Sequence, residues 1–102
     1  MKLMKWDIQT VGFHADDTLT EYAKEKISGL TKYFENIVGA EVYLKLDYND
    51  KRENKVAEIK LNIPGNDIYA DTRSDKFETA INQSCEKLKA QISKLKTKMS
   101  TH

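Results

Sequence analysis

The lysines are the side chains of this sequence whose number and spacing indicate a possible chemical role. They are concentrated at its C-terminal end. Residues 76–102 contain six lysines and two acids, Glu78 and Glu86, a balance of +4, whereas residues 1–75 carry 11 basic and 14 acidic side chains, a balance of −3. From Lys87 onward there are five lysines and no acid. Ammonium groups neutralise phosphates, and this asymmetry raises the expectation of a polyanionic partner.

These lysines follow a helical pattern. At about 100° per residue, one flank of the apolar stripe carries Lys76, Lys87, Lys94 and Lys98, and the other flank carries Lys89 and Lys96. Positive charge around a helix end is what a phosphate-binding element requires. A Lys-rich last turn also complements the helix dipole and keeps a surface soluble. Residues 87–102 lack the interleaved acids of an ordinary salt-bridged face, but composition alone leaves both interpretations open.

The remaining reactive side chains do not predict a catalytic or metal site. His14 and His102 have no ligand-spaced Cys or Asp partner nearby. Cys85 belongs to the apolar series of the last helix, where a free cysteine behaves as a small hydrophobe. Asp16 and Asp17 precede a helix start, which favours acids. We therefore expect a protein that is not an enzyme and has no metal, cofactor or small-molecule substrate.

Length and composition predict one domain spanning residues 1–102. The hydrophobic content of 39% supports one core, and 32% charged residues make the surface ionic. Cys85 is the only cysteine, so a reducing compartment is expected. No apolar run approaches the ~18 residues of a membrane span, and the start MKLMKWDIQT lacks the apolar stretch of a signal peptide. The expectation is a cytoplasmic protein without membrane contact.

Hydrophobic periodicity predicts an α+β fold with the order β-α-β-β-β-α. Alternation indicates strands over 5–11, 41–48, 57–63 and 68–72, and steps of three and four indicate helices over 18–34 and 75–99. The capping-box spacing from Thr18 to Glu21 predicts the start of the first helix. A strand–helix–strand crossover gives parallel strands, and the rest form an antiparallel meander. One-faced helices predict two layers, with both helices on one face of a four-stranded mixed sheet.

The last helix is longer than the strands. Its length of roughly 35 Å exceeds the ~20–26 Å of the strands, so its final turns, with Lys94, Lys96 and Lys98, are expected to overhang the sheet. Leu95 and Met99 on the same turns keep a second hypothesis open, a protein–protein module that docks through this helix. Binding to RNA would weaken steeply with salt, whereas apolar docking would not.

Aromatic residues could stack on bases. Trp6 and Tyr33 are expected in the core, and Tyr43 is expected on the polar face of the sheet.

Three stretches of the chain resemble the short ribosome hibernation-promoting factors, also called ribosome-associated inhibitors or the sigma-54 modulation family. They are KISGLTKYF at 26–34, IYAD at 68–71, and FETAIN at 77–82 running into KLKAQISKLKTK at 87–98. The order and spacing of these stretches agree with the family over residues 1–99.

The resemblance implies a fold similar to double-stranded RNA-binding domains and a function on the ribosome. The expected partner is the small ribosomal subunit with its ribosomal RNA, bound between head and body so that the messenger and transfer RNA channel is occluded in non-growing cells. The RNA-binding residues implied by motif position are Lys26, Lys32, Lys87, Lys94 and Lys98; Lys76, Lys89 and Lys96 are added by the helical wheel.

Three positions depart from the family pattern. Glu78 stands where Tyr is common, Ala90 where Arg is common and Gly29 where Lys is common. Each departure removes an RNA contact or a stacking group. Because the sequence stops near Met99, without the extra dimerisation domain of the long forms, we expect a monomer off the ribosome.

Overall fold

The computed structural model describes residues 4–49 and 51–100, and for residues 98–100 it describes the backbone alone. The elements are strand β1 (Lys5–Val11), helix α1 (Asp17–Tyr33), strands β2 (Gly39–Leu46), β3 (Lys55–Asn62) and β4 (Ile68–Ser74), and helix α2 (Phe77–Ser100). This is the β-α-β-β-β-α order that the periodicity predicts. The strands differ from the predicted ranges by about two residues at their ends.

The strands form one mixed sheet in the order β1-β2-β3-β4. β1 lies parallel to β2, while β2, β3 and β4 form the antiparallel meander. β2 begins at Gly39, two residues earlier than predicted. A Cβ atom at that position would lie 2.7 Å from Oδ1 of the Asn62 side chain, so glycine leaves room for the Asn62 amide there.

The hydrophobic core lies between the sheet and the two helices, which pack on the same face. Its buried members alternate along the strands and recur at helical spacing on α1 and α2. The largest fully buried side chains include Ile27 of α1, Leu44 and Ile59 of the sheet, and Leu88 and Ile92 of α2. The two-layer architecture is therefore confirmed, with the opposite face of the sheet open to solvent.

The start of α1 differs from the prediction. Asp16, in an extended conformation, is the N-cap, and its Oδ1 accepts a hydrogen bond of 2.8 Å from the backbone N–H of Leu19. Thr18 lies inside the first turn. An aspartate cap satisfies an otherwise unpaired helical N–H and complements the positive end of the helix. The helix consequently starts two residues earlier than the Thr18 capping box would give.

A buried hydroxyl pair anchors α2 to the sheet. Ser84, fully buried, lies 2.7 Å from the hydroxyl of Thr72 and donates to the carbonyl of Ala57 at 3.1 Å. The Thr72 hydroxyl also donates to the carbonyl of Ala80. These bonds join α2 to β3 and β4, and with the apolar contacts they determine which flank of α2 faces solvent.

The final turns of α2 extend past the sheet, as its length predicts. Gln91 of α2 donates a hydrogen bond to the carbonyl of Tyr69, next to the first residue of the edge strand β4. Beyond this point α2 is braced by α1, because Ser93 and Lys96 contact Tyr33, the last residue of α1. The molecule measures 48 Å along its longest axis, against 26 and 19 Å across it.

Candidate nucleic-acid interface: the lysines of the helix layer

The predicted site lysines with described side chains all lie at the protein surface. They are Lys26, Lys32, Lys76, Lys87, Lys89, Lys94 and Lys96. The side chain of Lys98 lies outside the described residues, as does that of Met99. Lys76 precedes the first residue of α2, so the lysines that α2 itself presents begin with Lys87.

These lysines have no carboxylate partner within 4.0 Å in the part of the chain that the structure describes. The ion pairs found there all belong to the sheet and its connecting loops. Lys94 and Lys96 also have no acid within four residues along the sequence, so the i, i+4 pairing that neutralises most helix surfaces is absent. Their ammonium charge is therefore available to an external anion.

The fold separates the lysines of α2 into two flanks. Lys89 and Lys96 face α1, where both approach the ring of Tyr33. Lys87 faces the edge strand, and its Nζ donates to the carbonyl of Asp71 at 3.1 Å. Lys94 lies two turns beyond Lys87 on the same flank. The two groups derived from the helical wheel thus correspond to two different surroundings.

The flank beside β4 is partly acidic. Lys87 shares a depression with Glu58, Asp71 and Glu86, together with Arg73. Negative charges next to Lys87 lower the potential that it presents to a phosphate.

Between the helices lies a groove of about 300 Å³, called here the interhelical groove. Its lining comprises Lys26, Gly29, Leu30 and Tyr33 of α1, and Asn82, Cys85, Glu86 and Lys89 of α2. The groove brings one lysine from each helix, Lys26 and Lys89, to the same surface. Lys32 is not part of it and lines a separate depression with Trp6 and Ile37 on the other side of α1.

Tyr33 is at the surface, and its predicted position in the core is wrong. Its residue surface is 37% exposed, while the adjacent Phe34 is 7% exposed and supplies the core contact. Phe34 follows the last helical residue in an extended conformation and its ring lies in the core, which leaves the ring of Tyr33 at the surface. Trp6 is half-buried against the core, and Tyr43 is half-buried on the open face of the sheet.

The lysines held by Tyr33 are the feature that the sequence did not predict. Nζ of Lys96 lies 4.2 Å and Nζ of Lys89 lies 5.5 Å from the centre of its ring. Lys96 also donates a hydrogen bond of 3.2 Å to the carbonyl of Tyr33, and the Tyr33 hydroxyl is 2.8 Å from that of Ser93. Residues 56 to 63 apart in sequence make these contacts, which explains why spacing alone could not reveal them.

Cys85 is half-buried in the interhelical groove and is not activated. Burial, with a further contribution from Glu86 and against the effect of Lys26, raises the pKa of its thiol to about 11. The thiol is therefore protonated near neutral pH and lacks the nucleophilic form that reactive cysteines need. This agrees with the expected role of Cys85 as a small apolar residue.

The described residues offer neither a metal site nor a membrane-spanning helix. In residues 4–49 and 51–100, no group of three or more His, Cys, Asp or Glu side chains is arranged to hold a metal ion. No helix within the same ranges has the length and apolarity needed to cross a membrane.

The fold and the site together place this protein in a structural class. One face of its mixed sheet is ionic, and the other face is covered by two helices whose described lysines have no carboxylate partner. A family model described as sigma 54 modulation protein / S30EA ribosomal protein matches residues 6–100. The chain belongs to this family.

Curated relatives are similar to this chain over most of its length. A ribosome hibernation promotion factor of Deinococcus radiodurans is 34% identical over 84 residues, which are 80% of this chain and 44% of the relative. A ribosome hibernation promoting factor of Acidithiobacillus ferridurans is 36% identical over 76 residues, 72% of this chain and 96% of the relative. That of Bacillus subtilis is 29% identical over 94% of this chain. The chain spans about half the length of the Deinococcus and Bacillus proteins.

Solved structures confirm the fold. A ribosomal subunit interface protein from Coxiella burnetii superposes with a TM-score of 0.81 at 21% identity, covering 92% of this chain and 99% of that one. The N-terminal domain of Protein Y from Thermus thermophilus superposes with a TM-score of 0.78 at 19% identity, covering 91% of this chain and 99% of that one.

Proposed function

We propose that this protein is a ribosome-associated translation inhibitor that binds the RNA of the small ribosomal subunit through lysines on both helices. The family and the names of the relatives support a role in ribosome hibernation. The observation that carries the RNA-binding part is the layer of exposed lysines on α1 and α2 without carboxylate partners among the described residues. Such a layer matches a phosphate backbone in charge.

The proposed mechanism is occlusion of the messenger and transfer RNA channel in non-growing cells. A folded protein that is bound to the phosphates of the ribosomal RNA prevents another RNA from binding at the same place. The helix layer, with Lys26, Lys89 and Lys96 near the interhelical groove, would face the ribosomal RNA, and the neutralised sheet face would be turned away from it. This role uses charge and shape, so the protein acts without catalysis and without a cofactor.

The alternative of a protein-docking module has less support from the geometry. Leu95, one of the two apolar residues on which that hypothesis rests, is half-buried and packs against the hydrophobic core. The apolar stripe of α2 is therefore occupied by the sheet and by α1 up to that residue. We propose that the protein is a monomer in the cytoplasm when it is not bound to a ribosome.

Cosedimentation with purified small ribosomal subunits over a salt series tests the proposal. With about five phosphates neutralised, affinity should fall roughly a hundredfold between 50 and 200 mM salt. A complex of messenger and transfer RNA should displace the protein. Binding that does not depend on salt, or that persists with the competitor, would contradict RNA binding and occlusion respectively.

Lys87→Glu combined with Lys94→Glu tests the flank of α2 beside β4. We expect this variant to fold normally and to lose association with the subunit. Unchanged cosedimentation would remove this flank from the interface while leaving the groove lysines to be tested separately.

A further inference from the structure

Tyr33 contacts two lysines that lie seven residues, or two helical turns, apart on α2. The ammonium groups of Lys89 and Lys96 lie 5.5 and 4.2 Å from the centre of the same ring. Both distances fall within the range of a cation–π attraction. A single side chain of α1 thus holds two cations of α2.

The backbone and hydroxyl of Tyr33 strengthen this arrangement. Its carbonyl is at the C-terminal end of α1, where helical carbonyls lack internal partners, and it accepts a hydrogen bond of 3.2 Å from Lys96. Lysine is favoured there because the helix end is negative. The hydroxyl of Tyr33, bonded to that of Ser93, limits movement of the ring.

These contacts orient the lysines without neutralising them. An ion pair with a carboxylate would also restrain a lysine, but it would cancel the charge that a phosphate needs. An aromatic ring and a carbonyl carry no formal charge, and Lys89 and Lys96 have no carboxylate within 4.0 Å among residues 4–49 and 51–97. Lysine side chains lose much conformational entropy when they bind, and restraint beforehand reduces that loss.

We propose that Tyr33 is a positioning residue that holds the ammonium groups of Lys89 and Lys96 in place for the phosphates of an RNA backbone. The identity of the anion as RNA rests on the proposed function. Tyr33 itself does not stack on a base in this proposal, because Lys96 already lies close to its ring.

The geometry can be tested in the free protein by NMR. The ring current of Tyr33 should shift the ε-methylene protons of Lys89 and Lys96 upfield of the other lysine resonances. Tyr33→Leu should abolish the shift, and Tyr33→Phe, which keeps the ring and the fold, should retain it. Tyr69→Leu is the matched control, since Tyr69 is 49% exposed on the open sheet face. Unshifted resonances in the unaltered protein would overturn the proposal.

Binding to poly(U) and to small ribosomal subunits tests the consequence. Tyr33→Leu should weaken both by about fivefold, the loss that corresponds to ordering about one lysine side chain on binding. The salt slope should stay the same because both ammonium groups remain, whereas Lys96→Met should reduce it by about 0.7. Tyr33→Phe, which keeps the ring and loses only the contact with Ser93, should lose less affinity than Tyr33→Leu.

A double-mutant cycle separates positioning from a general structural effect. In a background with Lys89→Met and Lys96→Met, Tyr33→Leu should cause no further loss of poly(U) binding. The same fivefold loss in that background, or no poly(U) binding by the unaltered protein at low salt, would overturn the positioning role. Coupled poly(U) binding without binding to subunits would instead refute the proposed function and leave the role of Tyr33 intact.

Discussion

The two outer faces of this molecule use lysine in opposite ways. On the open face of the sheet, Lys45 lies 2.9 Å from Glu58, and Lys60 lies 3.9 Å from Glu41 and 3.6 Å from Asp67. On the helix layer, the described lysines have no carboxylate within 4.0 Å, and four of them contact carbonyl oxygens or aromatic rings instead, namely Lys26, Lys87, Lys89 and Lys96. The first face is neutralised within the fold, and the second keeps its charge.

Sheet register explains the difference. Lys60 and Glu41 are directly paired across β2 and β3, and Lys45 is diagonal to Glu58 on the same strands. Opposite charges at such positions attract at short range. α2 offers no equivalent, because acids are absent after Glu86. The net charge of +1 is therefore a sum over one face whose charges are paired and another whose lysines are not. It does not describe the charge of either face.

The largest effect should come from reversing charge on the helix layer. Lys89→Glu with Lys96→Glu removes two phosphate contacts and adds repulsion, so binding to small subunits should fall by more than about a hundredfold. Lys5→Glu with Lys51→Glu makes the same change in net charge at exposed positions outside the helices and should alter binding by less than about twofold. Affinity is measured by fluorescence titration at fixed salt.

Equal losses in the two variants would mean that overall charge, and not the helix layer, drives binding. Circular dichroism of both variants provides the control for folding.

A smaller effect concerns the protonated thiol in the interhelical groove. Burial raises the pKa of Cys85 to about 11, above the value of 9.0 for an unperturbed thiol. The unfolded chain therefore loses the thiol proton first as pH rises, and the stability associated with the protonated thiol is intact below pH 9 and declines toward pH 11.

Relative to Cys85→Ala, the unaltered protein should lose about 1 kcal/mol of unfolding free energy between those limits, after allowance for the partly exposed thiol. Urea unfolding at pH 8 and near pH 11 measures this difference. A stability difference that does not change with pH would show that the folded protein does not perturb the thiol.

The smallest effect distinguishes the faces most sharply. Lys45→Met breaks a partly exposed ion pair and should reduce the unfolding free energy by about 0.2–1 kcal/mol without changing RNA binding. Lys96→Met should do the reverse, with a loss of RNA affinity and a stability change within about 0.5 kcal/mol. Urea unfolding and poly(U) binding on both variants give a two-by-two comparison. A loss of RNA affinity in Lys45→Met would extend the interface to the sheet.

Much of the fold could be predicted from the sequence because its patterns are local. Alternation in Ala57, Ile59 and Leu61 places those residues in the core, and the helical spacing of Leu88 and Ile92 does the same for α2. The misplaced features depend on competition between neighbours. Asp16, and not Thr18, is the N-cap of α1, and Phe34, and not Tyr33, lies in the core.

The candidate site was predicted only as a set of lysines. The wheel correctly grouped Lys89 with Lys96, since helix geometry depends on spacing alone. It could not show that this pair faces an aromatic ring or that Lys87 lies among acids from β3 and β4. It also could not show which depressions of the surface Lys26 and Lys32 line.

The sequence by itself determined the order of the elements, the composition of the core and the absence of acids after Glu86, because each depends on residues close together in the chain. Only the tertiary structure decided which lysines share a surface and which contact an acid, a carbonyl or a ring. Contacts such as that between Tyr33 and Lys96 follow from the packing of α1 beside α2 on one sheet, and no local pattern encodes that packing.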